Sequence, residues 1–204
     1  MKTEMEKVSY IIGQQIGADF KAQDLGIDVE ILANSIKDAH AGEEPKISPQ
    51  EMQEIMQSFQ QKMQKKMAEE QKEASGTNTT EGKAFLAENA KKDGVVVTSS
   101  GLQYKVITEG TGKTPKATDT VETHYEGKLI NGEIFDSSLA RGQTVTFPVN
   151  GVIKGWTEAL QLMKVGAKWE LYIPAELAYG ENGAGPKIGP NATLIFQVEL
   201  VSIK

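Results

Sequence analysis

The chain has 204 residues, 39% of them apolar, and 20 glycines, which suits one large globular domain or two small ones. Its 22 basic and 28 acidic side chains leave a net charge of −6 with no basic run, which argues against a nucleic-acid partner. Cysteine is absent and the two histidines, His40 and His124, lie far apart, so disulfides, thiolate metal sites and cysteine nucleophiles are excluded, and a zinc cluster or Ser-His-Asp site has almost no raw material.

The N-terminal stretch Met1-Lys2-Thr3-Glu4-Met5-Glu6-Lys7 carries no apolar signal-peptide core, and no segment reaches the ~18 apolar residues of a membrane span. A cytoplasmic protein without membrane contact is expected, or a periplasmic one if a leader was removed ahead of this numbering. Residues 1–94 hold six of the seven Met and a net charge of −5, and are written in helix formers. Val8, Ile11, Ile12, Ile16 and Phe20 recur at helical spacing, with Gly13 and Gly17 four apart, either tolerated or placed for the close approach of another helix. Asp28 can cap a second helix bearing Ile31, Leu32, Ile36 and Ala39, which Gly42 stops.

Ser48-Pro49-Gln50-Glu51 is a capping box with Pro at the first helical position. It opens a third helix whose Met52, Ile55, Met56, Phe59, Met63 and Met67 form a narrow stripe of about 3.5-residue period, as a helix-pair seam would. Running to about Ala90, this helix is about 60 Å long. Ser75-Gly76-Thr77-Asn78-Thr79-Thr80 is its weak spot, either a flexible joint or a poorly propagating stretch. The first two helices total barely 40 residues, too few to stabilise themselves without a staple or partner. A homodimer through residues 1–48 and the start of the third helix is expected; the other arrangement packs these helices back onto the second domain. The chain therefore divides into a helical dimerisation domain over residues 1–48, a linker helix over 49–93 and a second domain over 94–204.

That second domain holds nine of the thirteen aromatics. Leu102, Tyr104 and Val106 alternate, as do Val121, Thr123 and Tyr125, then Trp169, Leu171 and Ile173, then Leu194, Phe196, Val198 and Leu200, as half-buried strands do. Asn131-Gly132 signals a type I′ hairpin turn, and Gly155 to Met163 reads as a short amphipathic helix. The expected fold class is α+β.

The unusual feature is aromatic side chains at element ends and in loops: Phe135, Phe147, Trp156, and Tyr179 before a loop to Pro190 with four glycines and two prolines. The pattern alone fits either a ligand pocket or a core. Gly101-Leu102-Gln103-Tyr104, His124-Tyr125-Glu126-Gly127, Phe135-Asp136-Ser137-Ser138, Val152-Ile153-Lys154-Gly155-Trp156, Ala178-Tyr179-Gly180 and Leu194-Ile195-Phe196-Gln197-Val198-Glu199-Leu200 together resemble the FKBP-type peptidyl-prolyl isomerases over residues 95–204. Residues 1–94 resemble the dimerisation arm and long linker helix of the bacterial Mip-like and FKBP22-type branch.

The resemblance implies a twisted antiparallel sheet wrapped around the short helix, with a pocket between them. In it Trp156 would be the floor, Tyr125, Phe135, Phe147, Val152, Ile153 and Phe196 the walls, and Tyr179 the rim. Asp136 would be the pocket carboxylate, or a plain turn residue, and Arg141 would hold Asp136 and Tyr125 in place. The Ile153 N–H and the Tyr179 hydroxyl would bind substrate carbonyls, and Ile188 would touch substrate. His124 reads as a strand residue. The loop carries Ala184-Gly185-Pro186-Lys187-Ile188, where Lys187 replaces an apolar rim residue common in the family and so bears on inhibitor affinity and sequence preference. The implied activity is non-covalent Xaa-Pro isomerisation without metal or cofactor. The implied partners are proline-containing peptides, unfolded proteins and macrolides of the rapamycin class. A rival reading is a chaperone or proline-binding module with incidental isomerase activity, motivated by the long acidic arms and adaptable Met-rich faces.

Overall fold

The computed structural model describes residues 1–22 and 24–204. It divides into two compact units, Met1–Lys62 and Met63–Lys204. The first contains α1 (Glu4–Ala22), α2 (Val29–Ala41) and the opening turns of α3 (Pro49–Asn89). Each helix starts on a side-chain cap that satisfies otherwise orphaned N–H groups. Thr3 accepts from the Glu6 N–H and Glu6 reaches back to the Thr3 N–H, both at 3.2 Å, a capping box that the sequence reading passed over. Asp28 accepts from the Glu30 and Ile31 N–H groups at 3.0 Å, and Ser48 from the Glu51 N–H at 3.2 Å. Gly42 ends α2 at φ +77°, the left-handed conformation glycine enters without a Cβ penalty. No residue of α1 or α2 is buried, and a Cβ at Gly13 or Gly17 would meet nothing among the described residues.

α3 runs unbroken through Ser75–Thr80, so the stretch is neither a joint nor a break. Two hydroxyls that would otherwise compete with the helix bond back into it, Thr79 to the Ser75 carbonyl at 2.7 Å and Thr80 to the Gly76 carbonyl at 3.0 Å. The rest of the compensation comes from packing inside the second unit. Gly82 and Asn89 are buried, and the Phe85 ring lies 6.0 Å from that of Tyr172. A Cβ at Gly82 would collide with the Thr193 hydroxyl, so only glycine lets the helix lie this close. Gln103 donates to the Leu86 carbonyl at 2.9 Å and accepts from Asn89 at 3.0 Å.

The second unit is built on one antiparallel sheet of seven strands: β1 (Val95–Val97), β2 (Gln103–Thr108), β3 (Thr120–Leu129), β4 (Ile134–Ser137), β5 (Val145–Pro148), β6 (Lys168–Ile173) and β7 (Leu194–Ile203). Their order is β1-β2-β6-β7-β3-β4, and β5 also pairs with β3. β3 lies along β7 on one edge. On its other edge it carries β5 at Thr120–Thr123 and β4 at Glu126–Lys128. Between those two strands the chain makes one helical turn, α4 (Ser138–Arg141), capped by Ser137 and ended by Gly142 at φ +68°. The alternation expected for β3 is present, with Val121, Thr123, Tyr125 and Gly127 facing inward.

The β3–β4 hairpin is not the expected two-residue type I′ turn. Its loop spans residues 130–133, and of Asn131 and Gly132 only Gly132 has a positive φ, +91°. Asn131 instead uses its side chain to accept from the Glu133 N–H at 2.9 Å. The register shift between Gly127 and Lys128 lengthens the connection beyond what a type I′ turn closes.

α5 (Lys154–Leu160) lies across the sheet and ends sooner than its apolar pattern suggested. A Cβ at Gly155 would stand 2.6 Å from Ile173 of β6, so glycine here sets how closely helix and sheet approach. Trp156, Ala159, Leu160 and Met163 then pack against Leu171, Ile173, Leu194, Val198 and Leu200, all at most 4% exposed. Each such buried aliphatic side chain contributes roughly 1.5–3 kcal/mol.

Candidate functional site

Between α5 and strands β3, β4, β5 and β7 lies a cavity of about 850 Å³. Its floor is Trp156, 4% exposed. Three rings stand nearly edge-on to that indole: Tyr125 at 5.3 Å and 84°, Phe196 at 5.3 Å and 82°, and Phe147 at 5.7 Å and 81°. Phe135 extends the wall, 5.4 Å from Phe196 at 80°. Perpendicular contacts put the positive ring edge against the negative face, each worth about 0.5–1.5 kcal/mol beyond burial. The arrangement depends on a glycine in β3. A Cβ at Gly127 would come within 2.5–2.6 Å of Phe135 and Phe196, so both rings close over the strand only because nothing projects there.

Val152 and Ile153, in the turn before α5, supply aliphatic wall. Ile153 caps the helix, its carbonyl accepting from Trp156 and Thr157 at 3.0 Å, while no acceptor among the described residues engages its N–H. Tyr179, 41% exposed, begins a flap with a 3-10 turn over Gly180–Asn182 and a two-way bridge between Ala184 and Ile188. Ala184, Gly185, Pro186, Lys187 and Ile188 complete the lining. Lys187 reaches across to the Ile134 carbonyl at 3.4 Å.

The polar side of the cavity is one triad. The Tyr125 hydroxyl donates to Asp136 Oδ2 at 2.5 Å, and Arg141 from α4 donates one nitrogen to Asp136 Oδ1 and another to the Tyr125 oxygen at 3.0 Å. Burial works against the Asp136 charge, but the bonds from Tyr125 and Arg141 outweigh it and hold the carboxyl below the ordinary aspartate range. Burial first, and then the bond to Asp136, push the Tyr125 hydroxyl up. The Arg141 guanidinium also lies 5.8 Å from the Tyr125 ring centroid. His124, on the same strand, stays in a structural pair, its Nδ1 3.2 Å from the Ser138 hydroxyl.

The structure thus brings Tyr125, Phe135, Asp136, Phe147, Val152, Ile153, Trp156, Tyr179, Ile188 and Phe196 onto one cavity, with Arg141 behind it on Asp136 and Tyr125. Sequence reasoning missed Gly127 as the residue that admits two of the rings, and Gly151, Ala184, Gly185 and Pro186 as lining. Gly127 sat in view as a glycine inside a strand, a recognised mark of close approach.

The sequence pattern of "FKBP-type peptidyl-prolyl cis-trans isomerase" matches residues 111–201, and that of "Domain amino terminal to FKBP-type peptidyl-prolyl isomerase" matches residues 5–106. The chain is similar to the peptidyl-prolyl cis-trans isomerase Mip of Coxiella burnetii, 46% identical over 100% of this chain and 89% of that protein. It is also 46% identical to the FKBP-type 22 kDa peptidyl-prolyl cis-trans isomerase of Escherichia coli, over 97% of this chain and 94% of that one. The crystal structure of FkpA from Escherichia coli superposes with a TM-score of 0.74 at 39% identity, covering 100% of this chain and 98% of that one.

Proposed function

The chain belongs to the family of FKBP-type peptidyl-prolyl cis-trans isomerases, and from that premise we propose how its own residues carry the reaction. The protein is an enzyme acting on proline-containing substrates. Rotation about a peptide bond must cross about 18–20 kcal/mol because amide resonance is lost. Proline cuts the preference for trans to ~0.5–1 kcal/mol, so both isomers are populated and worth interconverting.

Resonance places negative charge on the planar imide oxygen, which water solvates well. The twisted imide has surrendered that charge and loses less on leaving water. A cavity walled by Trp156, Phe135, Phe147 and Phe196 therefore binds the twisted form in preference to the planar one, and differential binding of that kind lowers the barrier. The proline ring lies on the Trp156 face. The uncommitted Ile153 N–H and the Tyr179 hydroxyl donate to the carbonyls flanking the rotating bond. Asp136, fixed by Tyr125 and Arg141, keeps one wall charged and immobile. The observation that carries this reading is the edge-on set of rings around Trp156 beside the unused Ile153 N–H.

A protease-coupled assay on a chromogenic proline tetrapeptide tests it. Asp136→Asn and Tyr179→Phe, each with unchanged circular dichroism, lower kcat/KM; undiminished turnover in both overturns the polar assignment. A rapamycin-class macrolide occupies the same cavity and competes with peptide, since a large apolar ring system matches its walls; quenching of Trp156 fluorescence reads this out.

The first unit serves association with a second copy through residues 1–48 and the start of α3. Support comes from its apolar side chains left uncovered among the described residues: Ile12 is 50%, Ile31 68%, Ile36 56% and Met56 54% exposed. The resulting pair of arms also holds unfolded chains near two catalytic cavities, which raises their local concentration without new catalytic contacts.

A further inference from the structure

The flap that closes one side of the cavity is bolted at its base to α3. Asn78 Nδ2 donates to the Pro190 carbonyl at 2.8 Å, and Asn191 Nδ2 donates to the Ser75 hydroxyl at 2.8 Å. Ser75 and Asn78 are three residues apart and so share one face of the helix. Asn191 is also the residue that shuts the flap: its N–H donates to the Gly180 carbonyl at 2.8 Å, and it sits at φ +54°, a conformation asparagine tolerates better than most. The contact is tight, since a Cβ at Gly189 would stand 3.2 Å from Asn78 Nδ2. From this base the chain runs to the Ala184–Ile188 bridge, whose residues line the cavity together with Tyr179.

We propose that Ser75, Asn78 and Asn191 are positioning residues of the isomerase: a clamp from α3 that fixes the flap, and through it Tyr179 and Ile188, against the bound peptide. This accounts for two of the poor helix formers in the middle of α3. Ser75 and Asn78 cost propensity there, and what they supply is a pair of side chains on one face that accept from and donate to the flap base. A leucine or alanine would make a better helix and leave the flap unheld. The helix arm is thereby continuous with the substrate cavity, not a mere spacer behind it. The proposal rests on reading the cavity as the isomerase site.

The test uses the full chain and a chromogenic proline tetrapeptide, with kcat and KM resolved separately. Loosening the flap removes binding common to ground and transition states, so Asn78→Ala and Ser75→Ala raise KM about threefold to tenfold, the equivalent of one net hydrogen bond, with kcat within twofold. Ser75→Thr keeps the hydroxyl and restores KM. Asn78→Asp sets a carboxylate against the Pro190 carbonyl and raises KM more than alanine does. The control is Phe85→Leu, two to three turns along the same docked face. It lowers the melting temperature as much as Asn78→Ala or more, and leaves KM unchanged. Equal KM in wild type, Asn78→Ala and Ser75→Ala overturns the proposal, and so does a rise in Phe85→Leu matching that in Asn78→Ala. If Asp136→Asn and Tyr179→Phe also leave turnover intact, it is the site reading that has failed; if they reduce it while the clamp variants do not, the clamp alone has.

Discussion

Tyr125 of β3 and Asp136 of β4 stand diagonally across their ladder, where Asp136 pairs with Gly127, and share one hydrogen bond of 2.5 Å, the tyrosine hydroxyl donating to the carboxylate. The pairing makes an aromatic wall and a charged group into one rigid piece, with Arg141 closing the third side. Removing the charge while keeping the shape, Asp136→Asn, leaves Arg141 without its anionic partner and replaces the charge-assisted bond from Tyr125 with a weaker neutral one. The pair is partly exposed, so the loss in kcat/KM is about tenfold, the low end of what a bond to a charged group contributes. Arg141→Leu gives a smaller loss, because the Tyr125–Asp136 bond survives it.

The same triad predicts a flat pH profile. The Asp136 carboxyl is held below its ordinary value and the Tyr125 hydroxyl above its own, so neither titrates between pH 5 and pH 8. His124 is placed away from the cavity lining. Steady-state kcat/KM measured across that window stays level, and a sigmoidal step within it would overturn the assignment of the polar wall to this triad.

Stability does depend on acid at another place. Glu122 of β3 accepts from Lys204, Thr144 and Ser202, in that order of influence, and its carboxyl is pushed down to about 2. A depressed folded-state value means the contribution is fully present above the unfolded value near 4.5 and disappears as pH falls through about 2. Glu122→Gln therefore melts below wild type at pH 7, and the gap between the two closes steadily as melts are repeated from pH 4.5 down to pH 2.

Gly127→Ala places a methyl inside contact distance of Phe135 and Phe196. Overpacking of this kind costs about 1–3 kcal/mol, and here it also tilts two cavity walls. Both the melting temperature and kcat/KM fall. Gly13→Ala on α1 behaves in the opposite way within one chain, where it meets nothing among the described residues and gains helix propensity. If a second copy packs against Gly13 and Gly17, light scattering will show the double alanine variant dissociating; Ile12→Glu with Ile16→Glu gives a monomer on either account.

Cutting the chain provides the fifth check. Residues 63–204 contain the whole docked part of α3 and should fold as a monomer that isomerises short peptides like the full chain, while assisting refolding of a proline-limited protein much less well. Residues 95–204 lack Phe85, Leu86 and Asn89, which leaves Tyr172 and Gln103 uncovered. Their melting temperature falls below that of residues 63–204, and calorimetry on the two fragments settles the comparison.

Much of the second unit was legible because its strands are half-buried and alternate, and because its aromatics stand where core aromatics seldom do, at element ends. The positions of Phe135, Phe147, Trp156 and Tyr179 could be read in that way. The docking of α3 could not. Its decisive bonds join Asn78 to Pro190 and Ser75 to Asn191, more than 100 residues apart, and local propensity at Ser75–Thr80 argues the wrong way. The β3–β4 turn failed for a related reason: Asn131-Gly132 is a local signal, and a register shift elsewhere in the ladder overrode it.

Trp156 belongs at once to the packed interior and to the surface a substrate lies on, with 4% of its area exposed. Its three perpendicular neighbours are shared in the same way. An enzyme so constructed has little freedom to evolve a new preference from below, since any change to the floor is first a change to the folding equilibrium. Variation that survives must enter from above, at Pro186 and Lys187, where side chains meet solvent and a substitution carries little stability cost. Descendants of this chain would thus diverge in what they recognise while keeping a single chemistry.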